Sequence, residues 1–174
     1  PPGPGRVAGL LGGHLFFYFL IWVGIGVALL TANLIATGVW GDVDGSVWDG
    51  QSTVFQYAIL AGGIMVVTGY VPVMVAQGVT RRAAADGSLV AVAGLAFAAA
   101  LATTLAYGVE HVVFAVNDWP HVLGGTRELH IYDSPDQYGL ILVEVLALYA
   151  THVVAGMVIG AGFFRFGWVW GIPY

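Results

Sequence analysis

The stretch from Val7 to Gly41, VAGLLGGHLFFYFLIWVGIGVALLTANLIATGVWG, contains no charged residue over 35 positions. A helix needs about 20 apolar residues to cross the hydrocarbon core of a bilayer. The stretch also lacks the alternation of apolar and polar residues that is typical of strands in membrane barrels. Because backbone polar groups in lipid must be bonded within the protein, this stretch predicts a transmembrane helix.

Three further stretches are free of charge: Gly50–Thr80 with 31 residues, Gly87–Val109 with 23, and Val145–Phe164 with 20. Each is long enough for one membrane span. We therefore predict a single all-α domain, a polytopic transmembrane helical bundle over residues 1–174. Its spans are predicted near residues 15–37, 54–76, 88–108 and 138–164, with a cytoplasmic turn at 77–87 and an outer loop at 109–137, which includes a short interfacial helix around Val112–Val116.

The composition of the 174 residues supports this prediction. Hydrophobic residues make up 59% of the chain and charged residues 9%, against about 25% charged in soluble domains. The basic residues are five arginines and no lysine, which argues against nucleic acid as a partner because phosphate binding needs a basic surface. Cysteine is absent, so disulfides and thiolate metal sites are excluded. The expected surroundings are a lipid bilayer.

The arginines predict the orientation of the spans. With four spans, Arg6, Arg81, Arg82 and Arg165 fall on one side of the membrane. Arg127 falls on the other side, among seven of the ten acidic residues. Short loops rich in arginine stay in the cytoplasm. Both ends of the sequence and the 77–87 turn are therefore expected to be cytoplasmic.

Histidines raise the possibility of haem, which between helices needs two axial ligands at a similar depth. His14 lies near the predicted inner surface and His111 near the outer one, so that pair fails. His152 stands alone in the middle of the fourth span. A hydrogen-bonded packing residue is the favoured interpretation of His152.

The outer loop offers a weak metal-binding pattern. His121, His130, Glu128 and Asp133 occur there, but their spacing matches no established metal motif. Solvated loop residues are the better interpretation, and no metal site is predicted.

Glu144 is the one carboxylate inside a predicted span, and Glu110 lies at the end of another. An ionisable side chain within the membrane is costly and usually faces the protein or water. Glu144 therefore either lines a cavity or takes part in proton-linked chemistry, or it reaches the water of the head groups, since it lies less than two turns from Tyr138. Both interpretations stay open.

The most specific segment is Gly69–Arg82, GYVPVMVAQGVTRR, in which an apolar span with Pro72 leads into Gly78-Val79-Thr80-Arg81-Arg82. This segment resembles the small membrane permeases of ABC exporters that are common in actinobacteria. These permeases typically have a proline in the second span, a Gly-x-Thr/Ser-Arg-Arg turn, and a small residue where the third span begins.

The resemblance extends in order and spacing to Trp168. It is also carried by an acid at the end of the third span, a tryptophan soon after it, and a glycine-rich fourth span ending in Arg-Phe-Gly-Trp: Glu110, Asn117–Trp119, Gly156, Gly160, Gly162 and Arg165–Trp168. Two features differ from the family. Ala83–Ala85 replaces an expected aromatic residue, and family members have six spans. We therefore expect the sequence to be part of a longer protein, in which Phe166–Tyr174 begins a further apolar segment.

The resemblance implies a membrane permease subunit in a bacterial plasma membrane. It would pair with a second permease, work with a nucleotide-binding ATPase subunit that holds ATP and Mg²⁺, and export a hydrophobic or amphipathic substrate. The chain has no phosphate-binding Gly-x-x-x-x-Gly-Lys-Ser/Thr loop, so it is not expected to be an enzyme itself or to bind a cofactor. The implied coupling residues are Gln77, Gly78, Thr80, Arg81, Arg82 and Asp86, while Glu110, Glu144 and His152 are candidate polar residues in the membrane.

Within this turn, we expect Thr80 to cap a short helix that displays both arginines. Asp86 is expected to pair with Arg82 at the i,i+4 spacing. Two alternatives to the exporter remain. One is a haem-binding or accessory subunit of an electron-transfer complex, which would use His152 with His14 or His111. The other is a purely structural bundle subunit.

Overall fold

The computed structural model describes residues 4–40, 46–119, 130–134 and 136–170. The described chain consists of long helices and short connections. The helices are α1 (Pro4–Trp40), α2 (Val47–Met65), a π-helical segment (Val66–Tyr70), α3 (Val71–Ala76), α4 (Arg81–Val116) and α5 (Tyr138–Trp170).

The predicted all-α fold with four apolar spans is confirmed. The helices that are long and apolar enough to cross a membrane cover Gly5–Asn33, Thr53–Ala76, Arg81–Val116 and Tyr138–Phe166. The second and fourth spans begin within one residue of their predicted starts. α1 begins at Pro4, eleven residues before the predicted start of the first span. The helix includes Arg6 because a helix can extend beyond the apolar residues that cross the membrane.

The helices form a four-membered bundle in which direction alternates along the chain. α1 lies along α4 and α2, and α5 lies along α2 and α4. Gly156 of α5 lies against Leu60, and Gly160 lies against Ile64, so α2 and α5 run in parallel. One end of the bundle, which we call the arginine end, therefore carries Arg6 of α1, Arg81 and Arg82 of α4, and Arg165 of α5.

The predicted turn at 77–87 is shorter than expected, since only Gln77–Thr80 connects α3 to α4. Thr80 has extended backbone angles, and its side chain accepts a hydrogen bond from the Ala83 amide at 3.2 Å. This cap starts α4 at Arg81, so the basic helix expected here is the first part of the third span. The predicted loop at 109–137 is shorter for the same reason: Val112–Val116 is the last turn of α4, not a separate interfacial helix.

The closest packing in the described chain joins α2 and α5 through glycines. A Cβ at Gly156 would overlap the Leu60 carbonyl group, reaching its carbon at 3.0 Å. A Cβ at Gly63 would overlap the Val153 carbonyl group in the same way. The hydrophobic effect does not favour helix association in lipid. Close van der Waals packing between backbones, which small residues allow, stabilises the contact instead.

α4 and α5 are joined by a buried hydrogen bond between the hydroxyls of Thr103 and Tyr149, 2.9 Å apart. Both side chains are almost fully buried. Such bonds between membrane helices contribute about 0.6 kcal/mol on average. This bond therefore supports the register of the two helices more than it adds stability.

The second span contains a π-helical segment that the sequence did not predict. The Val71 amide donates to the Val66 carbonyl oxygen, five residues earlier. Pro72 follows directly and has no N–H to donate. A π-turn next to a proline accommodates the lost hydrogen bond and is a common position for a bend.

We expect Gly156→Ala to lower the thermal unfolding temperature, because the added methyl group forces α2 and α5 apart at a cost of about 1–3 kcal/mol. Gly94→Ala in α4 is the matched control, since a Cβ there meets nothing within 4 Å. The control should hold or slightly raise stability because alanine favours a helix. Thermal denaturation in detergent, followed by tryptophan fluorescence, measures the unfolding temperature of each variant. If Gly156→Ala unfolds at the same temperature as the parent, the close contact between α2 and α5 is contradicted.

Candidate functional site: the arginine end and two carboxylates

The turn at the arginine end is shaped by a glycine and a threonine cap. Gly78 has φ of +87°, a backbone conformation that side chains disfavour. The Gln77 amide donates to the carbonyls of Val73 and Met74, and the Val79 amide donates to Met74 at 3.0 Å. Together these bonds close α3 and direct the chain into α4 within four residues.

The predicted coupling residues Arg81, Arg82 and Asp86 all lie at the surface of the first turns of α4. The Arg82 side chain is 94% exposed, and its Nε lies 3.9 Å from Oδ2 of Asp86. The expected i,i+4 pair is therefore present but long. An exposed pair of this kind contributes little to stability, so both arginines are accessible to a partner of opposite charge.

The opposite face of the same turns is buried. Ala84 is fully buried, and Ser88 is almost so. α1 supplies the buried residues Val7 and Leu11 along its seam with α4. The arginines are thus fixed to a helix that packs within the bundle from its first turn onward.

Glu110 is a fully buried carboxylate near the other end of α4. Its Oε2 accepts a hydrogen bond from the Ser46 hydroxyl at 2.6 Å, and its Oε1 accepts one from the Trp48 amide at 3.0 Å. Ser46 directly precedes α2, and Trp48 is its second residue. Glu110 therefore caps the N-terminus of a neighbouring helix, where a negative charge also interacts favourably with the helix dipole.

Glu144 makes an analogous contact from α5. Its Oε1 lies 2.6 Å from Nδ1 of His130, and its Oε2 accepts a hydrogen bond from the Ile131 amide at 2.8 Å. About a fifth of each side chain, Glu144 and His130, is exposed. Glu144 thus binds a segment of protein and keeps partial access to its surroundings.

The segment that Glu144 holds, residues 130–134, forms a strap at the end of α4 and α5 opposite the arginine end. Tyr132 is buried, with its ring 4.7 Å from that of His130 and 6.5 Å from that of Tyr107 on α4. The Asp133 amide donates to Oε1 of Gln137 at 2.9 Å. These contacts join the strap to both helices.

Asp136, which follows the strap outside the spans, accepts a hydrogen bond from the Ser134 hydroxyl. This bond, and next the bond from its own backbone amide, lower the pKa of the Asp136 carboxyl below its ordinary value. The charged form is favoured because both donors point to it.

The histidines lie at different depths in the bundle. Nδ1 of His14 donates to the Leu10 carbonyl, and Nδ1 of His152 donates to the Leu148 carbonyl at 2.8 Å. α1 and α4 run side by side in the same direction, so His14 and His111 lie about 25 Å apart along the bundle. His152 lies between these levels, and its ring is nearly perpendicular to that of Tyr57, with centroids 6.5 Å apart.

In the described part of the chain, no three histidine or acidic side chains come together as a metal site would require. His130 belongs to the Glu144 contact and is not a solvated loop residue. His121 and Glu128, the other residues of the outer-loop pattern together with Asp133, lie outside the described residues.

Sequence reasoning singled out both carboxylates but missed what they bind. Ser46 and Glu110 are 64 residues apart, and no local pattern connects them. His130 and Glu144 are separated by 14 residues, a spacing that marks no motif. The one available signal was the position of each carboxylate near the end of an apolar span, where a charged residue needs a partner.

Comparisons with known proteins return no match: no family model fits the chain, and no similar curated protein or solved structure is found.

We expect Glu144→Gln to loosen the strap without preventing membrane insertion. Glutamine replaces one of the two carboxylate oxygens with an NH2 group that cannot accept a hydrogen bond, so the separate contacts of the two oxygens with His130 and Ile131 cannot both be kept. Hydrogen–deuterium exchange at residues 130–134 should become about tenfold faster, the equivalent of about 1.4 kcal/mol. Asp133→Asn is the control, because its backbone bond to Gln137 is retained; unchanged exchange in Glu144→Gln would show that the strap is held by other contacts.

Proposed function

We propose that the chain is a permease subunit of an ATP-driven ABC exporter in a bacterial plasma membrane, with the arginine end in the cytoplasm. The observation that carries the proposal is the combination found in Gly78–Arg82. A tight turn ends in two exposed arginines whose helix is packed into the bundle from Ala84 onward. A partner that moves the arginines therefore moves the third span.

The arginines are suited to an acidic surface on an ATPase subunit. Guanidinium groups make two parallel hydrogen bonds to a carboxylate, which fixes geometry as well as attraction. Arg81 and Arg82 are adjacent and exposed, and only the long contact to Asp86 competes for them among the described residues. The ATPase supplies ATP and Mg²⁺, and this chain supplies the surface that follows its motion.

The second span offers a place for bending beside this contact. The π-helical segment Val66–Tyr70 and Pro72 lie between the main part of the span and the turn. Helices bend sharply at π-turns and at prolines, and π-turns are frequent at functional sites. The short helix α3 can therefore tilt with the arginine end while α2 stays packed against α5.

The transport path lies between two permeases in this proposal. Two hollows among the described residues lie on the outer faces of the four packed spans, and their linings are mostly apolar. A hydrophobic or amphipathic substrate suits a path with such walls.

Replacing both arginines by lysine tests the coupling role. Arg81→Lys with Arg82→Lys keeps the positive charge that anchors the helix but removes the paired donors. We expect normal membrane insertion and at least a tenfold loss of co-purified ABC-type ATPase, because hydrogen bonds to charged groups contribute about 1.5–3 kcal/mol.

Arg165→Lys is the matched control for this experiment. Arg165 is exposed at the same end of the bundle and lies over the Phe166 ring at 5.2 Å, outside the turn. The Arg165→Lys variant should leave the association with the ATPase unchanged. A double lysine variant that associates and transports like the parent would leave the arginines with an anchoring role alone.

The orientation is tested by single cysteines in a chain that has none of its own. Ala85→Cys is chosen over the buried Ala84, and Ile131 at the other end is 55% exposed. An impermeant maleimide added to intact cells should label Ile131→Cys and should label Ala85→Cys only after lysis. The reverse pattern would place the arginine end outside.

A further inference from the structure

An open groove runs along the face of α1 that points away from the bundle, beside the part of the second span that lies nearer the arginine end. It has a volume of about 540 Å³ and is lined from α1 by Gly9, Gly13, His14 and Phe17, and from the second span by Met65 and Tyr70. Added Cβ atoms at Gly9 and Gly13 meet nothing within 4 Å. The groove therefore exists because α1 has no side chains at these positions.

The length and position of the groove match one leaflet of a bilayer. Its α1 wall extends from Gly9 to Ile21, which is about 18 Å along the helix axis. Half of the hydrocarbon core measures about 15 Å. The groove begins one turn above Arg6 and ends near the middle of the membrane, so its long axis follows an acyl chain of the leaflet at the arginine end.

The end of the groove that lies nearest Arg6 carries a positive charge. Arg6 precedes Gly9 and Leu10 by three and four residues, which places it on the same face of α1. It is exposed and forms no ion pair with the described residues. A basic residue at the membrane surface attracts anionic head groups.

The wall also carries polar groups at intermediate depth. The rings of His14 and Tyr70 contact each other in this wall, with centroids 5.6 Å apart and planes tilted by 54°. Since Nδ1 of His14 is occupied by the Leu10 carbonyl, its Nε2 can accept a hydrogen bond. Further toward the membrane centre, Phe17, Ile21 and Met65 provide an apolar surface.

We propose that this groove is a binding site for one anionic phospholipid from the leaflet at the arginine end. Its phosphate lies at Arg6, and one of its acyl chains lies in the open groove along α1, from Gly9 toward Ile21. The argument rests on the match of charge, length and polarity along the groove, and it does not depend on the exporter function.

Native mass spectrometry of the purified chain in detergent tests this site with two added probes. These are phosphatidylglycerol and phosphatidylcholine carrying the same acyl chains. We expect phosphatidylglycerol to bind about fivefold more tightly, because one basic residue at an anionic surface contributes about that factor. Arg6→Gln should remove this preference.

Gly13→Leu fills the groove and should reduce the binding of both lipids. Gly24→Leu is the matched control on the same helix, because Gly24 is also exposed with open space around it and lies outside the groove. Equal affinity for the two lipids, or binding unaffected by Gly13→Leu, would overturn the proposal. A lipid-free dimer of the chain that Gly13→Leu dissociates would also overturn it, since a second copy would then fill the groove.

Discussion

The distance between α2 and α5 depends on a contact between backbones. Gly156 allows α5 to approach the Leu60 carbonyl, and Gly63 allows the reciprocal approach to Val153. In a bilayer, the alternative to this contact is lipid of equal hydrophobicity, so helix association depends on fit rather than on escape from water. α4 packs against α5, and α1 packs against α4. Because the rest of the bundle builds on the α2–α5 contact, one methyl group added at Gly156 affects the whole bundle.

Glu110 and Glu144 lie toward the end of the bundle opposite the arginine end, where each carboxylate needs hydrogen-bond partners because it is removed from water. A buried carboxylate is tolerated when its oxygens receive hydrogen bonds. Glu110 receives them from the start of α2, and Glu144 from the strap at His130 and Ile131. In both cases a backbone amide is among the donors: that of Trp48 in the first turn of α2, where amides have no partner within the helix, and that of Ile131 in the strap. Each acid therefore connects a span to a segment that is distant in sequence.

Hydropathy and charge were enough to predict the class of fold and the number of spans, because a long charge-free run has few alternatives in a bilayer. The cap at Thr80 was also visible, since a threonine before a helix is a local signal. The length of α4 was underestimated because its first turns carry Arg81, Arg82 and Asp86 and still remain helical. Pairings such as Ser46 with Glu110 depend on tertiary distance, which a single sequence does not contain.

The π-helical segment has a consequence for how the second span meets its neighbours. One additional residue within a turn rotates everything that follows by about 100° around the helix axis. α2, before the segment, lies mainly along α5, whereas α3, after it, contacts α4. A single inserted residue thus lets one continuous span present its packing face to two different helices in succession. If the inserted residue were removed, the span would remain apolar and helical. The side chain of Met74, which is buried in this structure, would then rotate away from its present neighbours.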